Sequence, residues 1–201
     1  MQQESFVLNF SHHRVDLTRK VAVMGILNLT PDSFYDGGKY RTEKEILKRV
    51  EQMIEEGADI IDVGGESTRP GIDPISWEEE ARRAVPYVQK IAHRFKIPIS
   101  IDTYKARVAK EACEAGAEMV NDISGLRFDP EMAKVVSSRK AFLAIMHIKG
   151  TPKTMQDNPR YESLMDEIIS YLKKGLEIAC EAGIDLEKVI VDPGIGFGKT
   201  V

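Results

Sequence analysis

The stretch Met24-Gly25-Ile26-Leu27-Asn28-Leu29-Thr30-Pro31-Asp32-Ser33-Phe34-Tyr35-Asp36-Gly37-Gly38 combines two features that predict a strand and a functional loop. It continues an apolar run that begins at Val21, and it then breaks into a polar loop with an amide, a carboxylate, an aromatic ring and paired glycines. A buried strand followed by such a loop delivers functional groups to one edge of a sheet. The next question is whether other strands deliver to the same edge.

Five more short apolar runs follow the first. Runs that are apolar on both faces are typical of strands that helices cover. The six predicted strands are Val21–Leu27, Ile60–Val63, Ile97–Ile101, Met119–Val120, Ala141–Met146 and Val189–Val191. Ahead of them, Phe6–Phe10 and Arg14–Leu17 predict a short leading β-hairpin.

Helical patterns separate these strands. Two S/T-x-x-E capping boxes predict helix starts, one at Thr42 with Glu45 and one at Ser76 with Glu79. Further helices are predicted at Tyr104–Ala115, Glu131–Ser138 and Tyr161–Ala182. The regular alternation, with no Pro/Gly/Ser linker, predicts one domain over residues 1–201.

One short sequence motif recurs where a helix ends and the next strand begins. A glycine at the C′ position is followed by an acidic residue and then by a strand. The three copies are Glu56-Gly57-Ala58-Asp59, Ala115-Gly116-Ala117-Glu118 and Ala182-Gly183-Ile184-Asp185. This is the αβ loop of a repeating β/α fold, so the strands are predicted to be parallel.

Polar, turn-rich segments follow all six predicted strands. They are Asn28–Asp32, Gly64–Gly71, Asp102–Thr103, Asn121–Gly125, Met146–Gly150 and Asp192–Lys199. An open doubly wound sheet binds ligands mainly at one switch point, whereas a parallel barrel builds its site from many carboxyl ends. The sequence therefore predicts an α/β fold of the TIM (β/α)8 type, with about six of eight β/α units present.

Each candidate residue also has a structural interpretation. Asp102 and Asp192 also fit caps for the following helices, Asn121 fits a turn, and Arg69 fits an exposed surface position. His147 is predicted to be a hydrogen-bonded wall residue, because no partner lies at metal-ligand spacing. The glycines that follow the sixth strand have the spacing G-x-G-x-G, which differs from the dinucleotide fingerprint G-x-G-x-x-G.

The candidate residues suit one kind of ligand when they are taken together. Two carboxylates and an amide, Asp102, Asp192 and Asn121, can bind a flat heterocycle through its N–H edge. The apolar and aromatic walls are expected from Ile123, Met146 and Phe197. An anionic leaving group fits Thr68, Arg69 and Asn28, with a divalent metal on the asparagine oxygen.

Composition excludes several other classes. The net charge of −4 over 201 residues, with scattered basic residues, argues against nucleic-acid binding. Nowhere do 18 apolar residues run together, so we expect no membrane span and a cytoplasmic protein. The two cysteines, Cys113 and Cys180, are expected to be packed thiols rather than a disulfide.

At this point the motifs identify a resemblance. The chain resembles the dihydropteroate synthases, of the pterin-binding TIM-barrel family, over nearly its whole length. The matching segments, in order, are Gly25–Phe34, Gly64–Gly71, Ser100–Thr103, Val120–Gly125, Met146–Gly150 and Asp192–Lys199. The first, second and sixth are the most specific.

The resemblance implies a reaction and a set of roles. In the family, 6-hydroxymethyl-7,8-dihydropterin diphosphate condenses with p-aminobenzoate to give 7,8-dihydropteroate and pyrophosphate. The residues matching Asp102, Asn121 and Asp192 hold the pterin, Thr68 matches a substrate-contacting position, and Asn28 matches the Mg²⁺-linked one. Two loops cover the diphosphate and p-aminobenzoate. They contain Thr30, Asp32 and Phe34 in the first, and Ser67, Arg69 and Pro70 in the second.

The resemblance also implies a difference and leaves alternatives. The family has a lysine on strand seven and an arginine–histidine pair after strand eight, and these have no counterpart among the 201 residues. We therefore expect weak turnover, a tendency to associate, and a longer complete protein that forms a homodimer. A folate-dependent methyltransferase and a noncatalytic pterin-binding module are the alternative hypotheses. The Asn28 and Ser67–Arg69 loops argue against the methyltransferase, since a methyl donor has no diphosphate to hold.

Overall fold

A computed structural model describes residues 6–30 and 42–200 of the chain. Its centre is a six-stranded parallel sheet preceded by a two-stranded antiparallel hairpin. The hairpin strands are β1 (Val7–Asn9) and β2 (Arg14–Asp16). The parallel strands are β3 (Met24–Asn28), β4 (Ile60–Gly64), β5 (Ile99–Asp102), β6 (Met119–Asp122), β7 (Phe142–Met146) and β8 (Val189–Asp192).

The spatial order of the parallel strands follows the chain order, β3-β4-β5-β6-β7-β8. A doubly wound sheet reverses its order at a switch point, and this sheet has no such reversal in the part of the chain that is described. The sequential order is that of successive β/α units in a barrel wall. The α/β prediction with its N-terminal hairpin is therefore confirmed.

In the part of the chain that the structure describes, five helices connect the parallel strands and cover one face of the sheet. They are α1 (Glu43–Glu55), α2 (Trp77–Arg94), α3 (Ala106–Ala115), α4 (Met132–Arg139) and α5 (Leu164–Glu181), and a 3-10 turn, Leu186–Lys188, leads into β8. The capping box at Thr42 is complete. At Ser76 only the hydroxyl caps the helix, because the Glu79 carboxylate binds Arg82 and Arg83 instead.

The three predicted C′ glycines have left-handed backbones, with φ of +106° at Gly57, +118° at Gly116 and +77° at Gly183. L-residues with a Cβ rarely adopt this conformation, so glycine ends each helix at little conformational cost. The prediction of αβ loops at these sites is confirmed.

Alternation along each strand divides its side chains between two environments. On β4, Ile61 and Val63 are fully buried in the main core beneath the helices. Ile60 points to the other face, into a smaller cluster with Met119 of β6. Asp62 and Gly64 share that second face because side chains of a strand point alternately to opposite sides. The inner face therefore starts apolar and becomes polar toward the carboxyl ends.

The hairpin packs against the amino-terminal end of the sheet. Phe10 and Val15 bury their side chains in the inner cluster, and the Phe10 ring lies 4.5 Å from the Phe142 ring, centroid to centroid. The Glu118 carboxylate accepts a hydrogen bond from the backbone N–H of His12 at 2.6 Å and pairs with the His13 ring. Because the hairpin covers the amino-terminal end of the sheet, a site can form at the carboxyl end.

Three sequence-based expectations differ from the structure. The strands are not apolar on both faces, because the inner face holds polar residues such as Asp62 and Asn121 in the middle of the sheet. The edge strands β3 and β8 leave Ile26 and Val191 about half exposed. Cys113 is partly buried beside the core, but Cys180 is exposed rather than packed.

Within the described residues, no helix is long and apolar enough to cross a membrane.

Candidate functional site at the carboxyl ends of the strands

Three predicted site residues occupy one register row across neighbouring strands. Asn28 of β3 pairs with Gly64 of β4, and Gly64 pairs with Asp102 of β5. Asp102 in turn pairs with Asn121 of β6. A Cβ on Gly64 would lie 3.3 Å from Asn28 Oδ1 and 3.4 Å from Asp102 Oδ2. Glycine at this position thus leaves the space into which the amide and the carboxylate both project.

The environment of Asp102 disfavours its charge. Its Oδ1 is fully buried and has no hydrogen-bond partner in the described residues. Burial raises the pKa of Asp102 well above its ordinary value, and the negative charges of Asp62, Glu80, Asp122 and Glu66 raise it further. A buried carboxyl group with an unused acceptor atom is suited to a ligand that brings hydrogen-bond donors. Asp102 does not cap the next helix, which begins after Lys105 without a side-chain cap.

Asp62 is a site-adjacent residue that the sequence did not reveal, because it lies inside the apolar run Ile60–Val63. It is 1% exposed, and its Oδ2 accepts a 3.1 Å hydrogen bond from Asn121 Nδ2. Burial raises the pKa of Asp62, and Ser100 and Asn121 oppose part of that rise. Asp62 Oδ1 and Ser100 Oγ each lack a well-aligned partner in the described residues. Asn121 of β6 therefore bonds across β5 to β4 rather than filling a turn.

Asp192 lies at the exposed end of β8, opposite Met146 in the register. Its Oδ1 accepts a 2.7 Å hydrogen bond from the backbone N–H of Gly194, so the side chain supports the loop that follows β8. The other carboxylate oxygen accepts no hydrogen bond from a residue in the described ranges. Asp192 thus supports the following loop with one carboxylate oxygen and offers the other oxygen to a ligand.

The loop after β8 is attached to β7 through Lys199. Lys199 Nζ donates to Gly194 O at 2.8 Å and Phe197 O at 3.0 Å, and it lies 2.8 Å from His147 Nδ1. Desolvation, followed by the nearby Lys199 charge, lowers the pKa of His147 to about 4. His147 is 3% exposed and its ring lies 4.8 Å from that of Tyr171. The histidine is a neutral, hydrogen-bonded wall residue, and Lys199 is part of the loop's own framework.

The predicted apolar wall exists as a separate side-chain cluster. Ile123, Met146, Ile148 and Met155 form a small buried cluster, and Phe197 packs against it. Met146 pairs with Asp192, so this wall adjoins the polar row. An apolar wall beside a few polar groups is the usual composition of a small-molecule site.

A buried charge cluster anchors the loop that contains Ser67, Thr68, Arg69 and Pro70. Glu66 accepts hydrogen bonds from the Ile75 backbone N–H at 2.7 Å and from Lys105 Nζ at 2.7 Å, and it also bonds the Tyr104 hydroxyl. Because Ile75 lies at the far end of the loop, Glu66 closes residues 67–75 into a ring.

The same lysine pairs with a second buried carboxylate, Glu80 of α2, which is 1% exposed. Burial raises the pKa of Glu80, and the positive charge of Lys105 opposes that rise. Two carboxylates and one ammonium group thus join the loop base to α2 and α3. On the loop itself, Ser67 and Thr68 are partly exposed while Arg69 and Pro70 are exposed. Arg69 forms no ion pair with residues 6–30 or 42–200, so its charge is available to an anion.

Two cavities flank the polar row rather than coincide with it. The larger, about 1100 Å³, is a cleft between the end of β7 and α5, lined by residues that include His147, Lys149 and Tyr161. The smaller, about 320 Å³, lies under the 67–75 loop and is lined by Ile72, Tyr104 and other largely apolar residues. The polar row itself is open to solvent at Asn28, and Asp192, which pairs with Met146 outside the row, is exposed as well.

Among the described residues, no group of three or more His, Cys, Asp or Glu side chains could hold a metal ion. Mg²⁺ is nevertheless commonly bound by one or two protein oxygens together with waters and substrate phosphates. The amide oxygen of the exposed Asn28 fits that limited role. Thr30 is buried at the base of the first loop, while Asp32 and Phe34 lie outside the residues that the structure describes.

Parallel strands in chain order, with polar side chains gathered at their carboxyl ends, define a class of β/α-barrel enzymes. The chain belongs to the pterin binding enzyme family, whose profile matches residues 24–201.

Its relatives include dihydropteroate synthases. It is 50% identical over 185 residues to the dihydropteroate synthase of Clostridium beijerinckii, and the match spans 92% of this chain and 66% of that protein. The chain thus spans slightly less than two thirds of that relative's length.

Solved structures give the same result. The Yersinia pestis dihydropteroate synthase in a sulfonamide drug complex superposes with a TM-score of 0.90 at 41% identity, covering 96% of this chain and 70% of that one. The Xanthomonas albilineans dihydropteroate synthase with 4-aminobenzoic acid has a TM-score of 0.88 at 38% identity, covering 98% and 69% respectively. Both are synthases of the barrel type that the strand order predicts.

Proposed function

We propose that this protein takes part in dihydropteroate synthesis, the condensation of 6-hydroxymethyl-7,8-dihydropterin diphosphate with p-aminobenzoate in folate biosynthesis. The observation that supports this most is the row formed by Asn28, Asp102 and Asn121, with unused acceptor atoms and the 67–71 loop nearby. The dihydropteroate synthase relatives supply the reaction, and the row supplies residues of the required chemistry.

In this proposal, the pterin lies over the row with its N–H edge directed at Asp102, Asn121 and Asp192. Carboxylate and amide oxygens can accept from adjacent ring N–H and amino groups at once, which fixes both position and orientation. Ile123, Met146 and Phe197 form the wall on which the ring packs. Burial of the ring would exclude water and strengthen these hydrogen bonds.

The diphosphate is assigned to the side of the row nearest Asn28. Thr68 offers a hydroxyl donor, and Arg69 offers a cation that is not otherwise paired in the described chain. Asn28 would hold Mg²⁺ together with the diphosphate oxygens. When bound, Mg²⁺ neutralises charge on the diphosphate and makes pyrophosphate a better leaving group.

The chemistry requires positioning more than acid–base catalysis. The C–O bond between the pterin methylene and the diphosphate breaks, and the amino nitrogen of p-aminobenzoate forms the new C–N bond. The arylamine then loses its proton to solvent or pyrophosphate. The protein's contribution is to hold the two substrates in line and to stabilise the departing anion.

The second substrate is assigned to the loop side of the site. The Xanthomonas structure contains 4-aminobenzoic acid and the Yersinia structure a sulfonamide drug, which supports an aromatic amine site in this chain as well. Ser67, Arg69, Pro70 and Phe197 are the described candidates to contact it. Thr30, Asp32 and Phe34 stay predictions, as do homodimer formation by the complete protein and a cytoplasmic location.

The first experiment incubates the chain with the pterin diphosphate, p-aminobenzoate and Mg²⁺ and measures pyrophosphate. Release that depends on p-aminobenzoate is expected. Pterin binding without any release would support the noncatalytic module instead. Failure to bind the pterin diphosphate would contradict the proposal.

Asp192 provides a matched pair of variants. Asp192 and Asp185 are both exposed, and each accepts a hydrogen bond from the backbone N–H two residues further on. Asp192→Asn is expected to weaken pterin diphosphate binding at least tenfold, about 1.4 kcal/mol. Asp185→Asn, at the opposite end of β8, should leave the affinity unchanged. Equal affinities for the two variants would show that Asp192 does not hold the pterin.

A further inference from the structure

We propose that Asp62 is a positioning residue that fixes the orientation of the Asn121 amide, so that Asn121 Oδ1 faces the pterin. This inference rests on the proposed function, because it concerns the same pocket. Asp62 is 1% exposed and faces the inside of the sheet in the middle of β4. The contact that joins it to the polar row is the 3.1 Å hydrogen bond from Asn121 Nδ2 to Asp62 Oδ2.

The direction of that hydrogen bond determines what Asn121 can offer. A carboxylate only accepts, so the NH₂ end of the Asn121 amide must face Asp62. The oxygen end then points away from Asp62, and within residues 6–30 and 42–200 it accepts no hydrogen bond. An acceptor at that place complements a ligand edge that presents N–H groups. The opposite amide orientation would place a donor against those groups.

In its buried position, the Asp62 carboxylate does not stabilise the folded protein. Its buried Oδ1 and the neighbouring Ser100 hydroxyl each lack a well-aligned hydrogen bond in the described chain, and Ser100 offsets only part of the rise in the Asp62 pKa that burial causes. Asp102 lies on the adjacent strand, and the charge of Asp62 raises its pKa. An apolar residue at position 62 would remove an unsatisfied oxygen and a like-charge repulsion. The carboxylate is therefore explained better by ligand recognition than by stability.

Without Asp62, ligand binding has to bury an unpaired donor. If a leucine replaced the carboxylate, Asn121 could still turn its oxygen to the pterin, but its NH₂ group would then face an apolar side chain. A buried donor without a partner weakens the complex substantially. The loss acts through Asn121, so it should disappear when Asn121 itself is removed.

The test measures binding of 6-hydroxymethylpterin by titration calorimetry, with folding checked by circular dichroism and thermal melting. Asp62→Leu, which is close to isosteric, is expected to keep or raise the melting temperature while weakening binding about tenfold or more. Asp62→Asn retains an acceptor for Asn121 Nδ2 and is expected to bind with intermediate affinity. A role in packing alone would not produce higher stability together with weaker binding.

A double-mutant cycle shows whether the effect passes through Asn121. In an Asn121→Ala background, Asp62→Leu should change the affinity less than about twofold. As a control, Asp122→Asn alters another buried aspartate, on the opposite face of β6, whose oxygens accept from the backbone N–H groups of Ser124 and Leu126. This control should lower the melting temperature and leave binding within about twofold.

The outcomes separate this inference from the proposed function. If the unmodified chain binds no pterin, the proposed function is wrong and the role of Asp62 is wrong with it. If the chain binds pterin and Asp62→Leu binds equally well, only the role of Asp62 is overturned. If Asp62→Leu weakens binding to the same extent with and without Asn121, Asp62 acts on the ligand by another path and the positioning role is wrong.

Discussion

At the scale of single residues, the site contains two buried aspartates, Asp62 and Asp102, whose environment disfavours their own charge. Asp102 is the clearest example, since burial and neighbouring carboxylates both raise its pKa. An acid whose pKa is higher in the folded than in the unfolded state binds protons more tightly when folded. Its protonation therefore favours the folded state at low pH, and this stabilisation is lost as the pH rises from about 4 through the raised pKa.

A stability prediction follows for Asp102→Asn. At neutral pH the variant is expected to be more stable than the parent by about 1 kcal/mol, because it removes a buried, repelled charge. The difference should shrink toward about pH 4, where the parent's carboxyl group is protonated. Urea unfolding at several pH values measures both trends, and a difference that does not vary with pH would contradict the assigned pKa direction.

Asp59 provides a control of opposite sign. Its hydrogen bond from Lys20 lowers the pKa of Asp59, so its contribution to stability is present at neutral pH and is lost as the pH falls. Asp59→Asn should thus be less stable than the parent at neutral pH, and this deficit should fade in acid.

Sequence patterns located some site residues and not others for a physical reason. Asp102 and Asn121 interrupt apolar runs at strand ends, where polar residues are expected to serve a site. Asp62 lies within a strand, and its importance comes from a cross-strand contact to Asn121 that no local pattern encodes. Lys105 likewise carried no local signal, because its two carboxylate partners lie 39 and 25 residues away.

At the scale of elements, the loop after β8 depends on a glycine that cannot be replaced. Gly194 has φ of +67°, and a Cβ there would lie 2.0 Å from the carbonyl oxygen of His147. Gly196 has a similar φ of +88°, but a Cβ added there would meet no described atom within 4 Å. Substitution at Gly196 therefore tests backbone strain alone, and substitution at Gly194 tests backbone strain together with a steric clash.

Alanine substitutions at these two glycines should differ strongly. Gly196→Ala is expected to cost about 1–2 kcal/mol, the usual penalty for an L-residue in the left-handed region. Gly194→Ala adds a clash with backbone, so the loop must move and Asp192 with it. Thermal melting and pterin titration measure the two effects, and pterin binding by Gly194→Ala equal to that of Gly196→Ala would contradict this account.

The buried cluster below the 67–75 loop leads to a second prediction about an element. Lys105→Met leaves Glu66 and Glu80 buried without their cation, and removing one partner from such a cluster costs about 3–5 kcal/mol. Lys90→Met, which breaks the solvent-exposed pair with Glu43, should cost at most about 1 kcal/mol. Urea unfolding compares the two variants, and similar losses would mean that the cluster does not stabilise the loop base.

At the scale of the whole molecule, the order of helices and strands could be predicted from the sequence. Which strands lie at the edges of the sheet could not. The αβ loops at Gly57, Gly116 and Gly183 repeat a local signal, so periodic units could be recognised from the chain alone. The exposure of Ile26 and Val191 could not, because it depends on which strands lie at the ends of the sheet. Burial of an apolar strand residue is set by its neighbours in space rather than by its own sequence context.

Within the described residues, the exposed apolar side chains on the outermost strands predict self-association. Strand β8 lies at one edge of the sheet in the described residues, with Val191 49% exposed, and an unpaired apolar edge is a template for pairing with another molecule. Sedimentation velocity is expected to show larger species as concentration rises.

Val191→Lys should reduce this association, because a charged side chain on an edge strand opposes pairing. Val21→Lys replaces a valine that is 86% exposed outside the sheet and should have no such effect. Association that both lysine variants reduce equally would assign it to general surface hydrophobicity rather than to the edge of the sheet.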